Sequence, residues 1–165
     1  MPQVPPGIGM TTIAWDGHMV AADSMATTGD YKNPRDVVKL KLEAGILFAL
    51  CNTSCMFEPL VRWYLASAEP GMMPRAPDAD FSFVVFKPGE TLYFVQDCPY
   101  PSYPGSPNAW GSGGAFAIGA MLNGASAVEA VRIACKANPS GTAPPIYGYK
   151  LSFDGWLKIP SRQCA

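Results

Sequence analysis

The sequence predicts an α+β domain: antiparallel sheet layers with helices packed on their outer faces. Three observations lead there. Stretches of two-residue alternation come in pairs joined by turn dipeptides, the mark of hairpins. Helix-like stretches stand apart from the strand pairs, one after the second pair and two after the third, instead of alternating strand by strand as in a βαβ fold. And 165 residues suit one ordinary domain better than two.

Taken in order, residues 1–9, MPQVPPGIG, hold too much proline and glycine for a regular element. From Thr11 the pattern alternates, with Thr11, Ile13 and Trp15 against Thr12, Ala14 and Asp16. Asp16-Gly17 is a turn signal, and Met19 to Ala22 returns as a short strand apolar on both faces, so 11–23 reads as a hairpin. Thr27 to Asn33 is polar and loop-like. Val37 to Leu42 alternates, Glu43-Ala44-Gly45 turns, and Ile46 to Cys51 is a fully apolar strand. Asn52, Thr53 or Ser54 caps a helix that runs to about Ala68 and stops before Pro70-Gly71; Pro59 fits only near its first turn. Pro70 to Asp80 is a loop. Phe81 to Phe86 and Thr91 to Val95 form a hairpin around Lys87-Pro88-Gly89-Glu90. Residues 97–109, rich in Pro, Tyr and Ser, read as a loop. Gly111-Ser112-Gly113-Gly114 opens a helix to Leu122, which Asn123-Gly124 breaks. Ser126 caps a helix from Ala127 to Lys136, with Glu129 completing a capping box. Asn138 to Pro145 is a loop, and Ile146 to Phe153 with Trp156 to Ile159 make a last hairpin around Asp154-Gly155.

Composition narrows the function classes. The chain is 48% hydrophobic and only 15% charged, with a net charge of −1. That leaves much surface uncharged or covered by a partner, and it offers no basic stripe for nucleic acid. No apolar run reaches the roughly 18 residues that span a bilayer, and the start lacks the basic and apolar regions of a secretory signal, so a soluble cytosolic protein is expected. Cys51, Cys55, Cys98, Cys135 and Cys164 are scattered, and His18 is the only histidine. A Cys/His zinc site or a Cys–His nucleophile pair is therefore disfavoured, and reduced, mostly buried thiols are expected. No cofactor and no metal are implied.

The stretch MTTIAWDGHMVAADS, Met10 to Ser24, raises a specific chemistry. A threonine hydroxyl is a poor nucleophile without an adjacent base. Making the threonine the first residue supplies one, because its own α-amine has a pKa of roughly 7.7–8.0. The arrangement then needs a cation near the hydroxyl, a carboxylate to hold the cation, and backbone N–H groups for the oxyanion.

TTIAWDGHMVAADS, then VVKL, then GSGGAFAIGAMLNGASAVEAVRIA resembles a proteasome β-type subunit. It is most similar to the bacterial HslV peptidase and to proteasome-like proteins of phages and prophages. The likeness runs from Met10 to about Leu151, with the three motifs in order. It implies the four-layer αββα sandwich of N-terminal-nucleophile hydrolases, spanning residues 11–165, and a threonine peptidase acting on peptides or unfolded protein within a homo-oligomeric ring. By position, the resemblance makes Thr11 the nucleophile and Asp23 the carboxylate that holds the lysine. Lys39 lowers the nucleophile's pKa, and Ser112 bonds the threonine amine. The N–H groups of Gly113 and Gly114 open a helix and favour nearby negative charge.

Two departures stand out. Asn138 occupies the place of an aspartate that helps orient the serine and amine; asparagine can hydrogen-bond but supplies no charge. LCNTSC replaces a glycine-rich turn that binds substrate backbone; Asn52 and Thr53 could still offer N–H groups, but their side chains would crowd the cleft. Both departures are compatible with weak, altered or lost activity, and so with a second reading, a non-enzymatic proteasome-like scaffold or binding protein. Residues 1–10 admit three readings: a translation start at Met10 with removal of that methionine, a propeptide awaiting cleavage, or a fold that no longer cleaves anything. Met25, Ala26 and Cys51 suggest an apolar preference in the cleft. Tyr93, Phe94, Tyr100, Tyr103 and Trp110 are either interface anchors or packing at a sheet edge. The sequence names no unfoldase partner.

Overall fold

The computed structural model describes residues 11–28, 31–32, 36–75 and 80–165. Residues 1–10, expected to be an extension or propeptide, lie outside them, as does Asn33.

Strands β1 (Thr12–Trp15) and β2 (Met19–Ala22) form the expected hairpin, and β1 also pairs with β10 (Asn108–Gly111). With β11 (Tyr147–Ser152) and β12 (Gly155–Lys158) they make a first antiparallel sheet in the order β10-β1-β2-β11-β12. The second sheet runs β5-β6-β7-β8-β9, from β5 (Leu40–Glu43), β6 (Ile46–Asn52), β7 (Phe81–Lys87), β8 (Glu90–Val95) and β9 (Cys98–Ser102). Helix α1 (Phe57–Leu65) covers the second sheet; α2 (Gly114–Leu122) and α3 (Ala127–Ala137) cover the first.

Alternation along each strand sorts the apolar side chains into three layers. Phe48, Leu50, Phe83 and Phe94 face α1. Ile13, Val20, Leu47, Ala49, Val84 and Phe86 meet between the sheets with Trp110 and Trp156. Ala14 and Ala21 face α2 and α3 and pack on Ala130 and Val131. The small residues on that last face let the helices approach the sheet. The result is the four-layer α+β sandwich.

The structure departs from the sequence reading in several places. Within the stretch read as loop, Thr27–Thr28 (β3) and Tyr31–Lys32 (β4) form a two-residue ladder. The strand read from Val37 begins only at Leu40, because the Val37 amide bonds Ser24 across the chain, not a sheet neighbour. The first helix is shorter: Ser54–Met56 is a single 3-10 turn and no side chain caps either start. The Thr53 hydroxyl is drawn instead to the Asp80 carbonyl. Pro59 is the third residue of α1, where its missing N–H costs no helical bond. Residues 97–109 hold two strands. Their prolines hid them, but Pro99 and Pro101 sit on the edge strand β9, the place a sheet tolerates them. The opening of α2 shifts to Gly114, since Gly111 is claimed by β10. A last short helix, α4 (Ser161–Cys164), had no periodic signal.

Candidate active site

Strand β2 is apolar on both faces and buried, and it delivers Asp23 into the interior just past its end. The carboxylate is fully buried and fully bonded. Its Oδ1 accepts from the Thr12 amide at 2.8 Å and from Lys39 Nζ at 2.8 Å. Its Oδ2 accepts from the Met25 amide at 3.1 Å and the Ala143 amide at 3.2 Å. One side chain thus ties together β1, the segment before β5 and the loop before β11.

Lys39 is 6% exposed. It lies across from β6, with its carbonyl accepting the Leu50 amide at 3.2 Å. Burial pulls its pKa below the ordinary 10.5, while the Asp23 carboxylate beside it pulls the other way. A buried ammonium is costly, and the bonds to Asp23 are what make it tolerable. Cys51, on β6 next to this pair, has its thiol pushed up to about 12 by burial, with Lys39 opposing.

Thr11 is buried just before β1. Strand alternation separates the two threonines. Thr12 turns toward the helices, against Gly113 at the start of α2 and near Ala134 of α3; Ile13 faces the inter-sheet layer, and by strand alternation Thr11 lies on that side. The Thr12 hydroxyl is buried without a hydrogen-bond partner among the described residues.

Two glycines of the GSGG stretch, Gly111 and Gly113, are required by these threonines. A Cβ on Gly111, whose φ is +96°, would stand 1.9 Å from the Thr11 carbonyl oxygen. A Cβ on Gly113 would stand 2.1 Å from Thr12 Oγ1. Between them, the Ser112 hydroxyl donates toward the Gly141 carbonyl at 3.0 Å and the Thr11 carbonyl at 3.4 Å. Gly113 and Gly114 open α2, with Gly113 close against the Thr12 hydroxyl and Gly114 against Ala109.

Asn138 ends α3 and organises the next loop. Its carbonyl accepts from the amides of Gly141 and Thr142, both at 3.0 Å. Its Oδ1 accepts from the Ser140 hydroxyl at 3.3 Å, and its amide packs on Gly141 so tightly that a Cβ there would be 2.4 Å away. It therefore acts on Ser112 through Gly141, at one remove.

Asn52, the last residue of β6, has a φ of +79°. That is the left-handed region, where asparagine is the side chain best tolerated after glycine. The backbone bend expected of a glycine is therefore kept, and the Thr53 side chain is turned away to Asp80. Met25 and Cys51 are interior, whereas Ala26 is half-buried. The aromatics divide: Phe94 and Trp110 are core, Tyr100 and Tyr103 are exposed. No three His, Cys, Asp or Glu side chains converge as metal ligands among the described residues. Nor is any helix among them long and apolar enough to cross a membrane.

No protein-family model matches the chain, and no curated protein does. Solved structures do. One, Thiobacillus denitrificans BPH in complex with epoxomicin, superposes with a TM-score of 0.61 over 86% of this chain and 98% of that one, at 16% identity. Another, Thiobacillus denitrificans BPH, gives 0.60 over 87% and 99%, at 17% identity. BPH is a bacterial proteasome homologue. The likeness spans nearly the whole of those chains, and the fold of this protein is accordingly a proteasome-like one.

Proposed function

We propose that the protein is a threonine-type peptidase whose nucleophile is Thr11, made competent when residues 1–10 are removed. The observation that carries this reading is the buried Asp23–Lys39 ion pair, bonded to the amide next to Thr11. A folding core gains nothing from such a charge, whereas a hydroxyl that must lose its proton does. With the α-amine free, the Thr11 hydroxyl attacks the scissile carbonyl and passes its proton to that amine. The C–N bond then breaks, the amine returns the proton to the leaving nitrogen, and water hydrolyses the resulting ester. Lys39 holds positive charge where alkoxide and oxyanion develop. The backbone amides of Asn52 and Thr53, just beyond Cys51, are the oxyanion donors we assign. Gly113 and Gly114 act only at longer range, as a helix N-terminus. Ser112 positions the Thr11 backbone.

The substrate class is peptide or unfolded protein, and the setting is a homo-oligomeric ring in the cytoplasm, of the HslV or phage type. The ring is taken from that resemblance and not from the site. A chain beginning at Thr11 should cleave short fluorogenic peptides and gain the mass of one epoxomicin, the inhibitor bound in the BPH complex. Thr11→Ala should do neither. Equal turnover by both proteins would remove the reading. Cleavage should rise with pH as the amine deprotonates, with a midpoint at or below about 7.7–8.0, since the nearby ammonium favours the neutral amine.

Asn138 favours a second reading, a scaffold or binding protein with the same fold. Where an aspartate would add charge behind Ser112, this chain offers only hydrogen bonds. Protein isolated with residues 1–10 intact and inert toward epoxomicin would support it.

A further inference from the structure

A cavity of about 420 Å³ opens between the end of α1 and the edge strand β9, lined by Tyr64, Ser67, Ala68, Leu92, Phe94 and Tyr100 among others. No charged side chain lines it. Ser67 and Ala68 have φ of +95° and +51°, left-handed backbone that L side chains seldom adopt and that marks sites where a fold holds a shape for a purpose. Tyr100 is 70% exposed. Aromatic walls of this kind take proline-rich chain in the polyproline II form, whose rings pack on the aromatics. That form leaves its carbonyls free, and the hydroxyls of Tyr64, Ser67 and Tyr100 can donate to them.

We propose that this cavity is the docking site of the chain's own leading segment, residues 2–6, PQVPP. The segment has the matching chemistry. It carries no charged side chain, and Pro2 and Pro5 stand three positions apart, one polyproline II turn, so both present the same face. It also has the reach. Thr11 leads into β1, which packs on β6. From β6 the order β6-β7-β8-β9 puts the cavity about 14 Å along the sheet, and on the opposite face about 10 Å further. Residues 2–10 span up to about 30 Å when extended, with Gly7 and Gly9 to take the bend. Attachment supplies the affinity that so small a contact lacks: a short tether holds the segment at an effective concentration in the millimolar range. Cleavage after Met10 then ends the docking by ending the tether. The contact itself does not depend on whether Thr11 is a nucleophile.

Photocrosslinking of the full 165-residue chain tests this. With benzoylphenylalanine in place of Gln3, irradiation should join that position to the peptides holding Tyr64 and Tyr100, in a product with the mass of one chain. Pro2→Ser with Pro5→Ser removes the two rings of the docked face, and Tyr100→Glu places a charge in the apolar cavity. Each should lower the crosslink yield by about tenfold or more. Tyr100 is exposed, so the thermal midpoint of Tyr100→Glu should be unchanged, which separates lost docking from lost folding. Crosslinks that miss the cavity, or that survive both sets of substitutions, would overturn the proposal. So would a product of twice the chain mass, because the occupant would then be a second copy.

Discussion

Replacing the Asp23 carboxylate by an amide keeps its shape but leaves the Lys39 ammonium buried beside a neutral group. Breaking one side of a buried pair costs about 3–5 kcal/mol, much of it the penalty of the stranded charge. Asp23→Asn should therefore lower stability by that order in urea unfolding. Adding Lys39→Met should restore a good part, because the stranded charge is gone. A double variant no more stable than Asp23→Asn would mean the carboxylate acts through the three backbone amides alone. At this scale the sequence was informative where chemistry demands a residue type. Thr11, Asp23, Lys39 and Ser112 stand out because few patterns combine them; the structure bonds Lys39 and the amide next to Thr11 to Asp23, and Ser112 to the Thr11 carbonyl. It was silent where the reason is a backbone contact. Nothing in GSGG says that Gly111 must clear the Thr11 carbonyl or Gly113 the Thr12 hydroxyl. Nor does LCNTSC say that Asn52 adopts a glycine's φ.

Between elements, Asp16 does more than turn a hairpin. Its Oδ1 accepts from the His18 and Met19 amides, and its Oδ2 accepts from the Ala127 amide, each at 2.8 Å. It therefore fixes the β1–β2 turn onto the first turn of α3, beside the Ser126–Glu129 capping box. Asp16→Ala should cost about 1–2 kcal/mol, the range for losing a helix-capping oxygen. Hydrogen exchange should quicken in the first turn of α3 while β6 and β7 stay protected. Uniform quickening would mean Asp16 supports the whole fold and not this junction. The capping box was legible because its signature is local. The Asp16–Ala127 bond spans 111 positions and was not. Strands β9 and β10 were missed for a related reason: proline in or just before them lowers a local strand signal, and only the sheet order shows that both lie at sheet edges, where proline is tolerated.

For the whole molecule, antiparallel sheets with outer helices could be read from element order, whereas the assignment of side chains to three apolar layers needed the pairing. One consequence concerns pH. Burial raises the pKa of Cys51 from 9.0 to about 12, and raises Cys135, Cys164 and Tyr149 as well. Each of these acids keeps its proton longer folded than unfolded. Their contribution to stability is complete below about pH 8.5, where the unfolded thiols are still protonated, and is lost as pH rises toward the folded values. One proton corresponds to about 1.4 kcal/mol per pH unit. Lys39 runs the other way: its folded pKa is lowered, so stability from this group rises with pH until about 10.4, where the unfolded lysine also loses its proton. The opposition ends there, and the decline should steepen from about pH 10.4 toward 12. Cys51→Ala should start about 1 kcal/mol lower at pH 8, from the lost packing. It should then fall more gently, because the most strongly shifted thiol has been removed. Urea midpoints between pH 8 and 11.5 measure both curves. Parallel curves would show that the Cys51 thiol does not govern alkaline unfolding, and that its place beside Lys39 and Asp23 carries no linked proton.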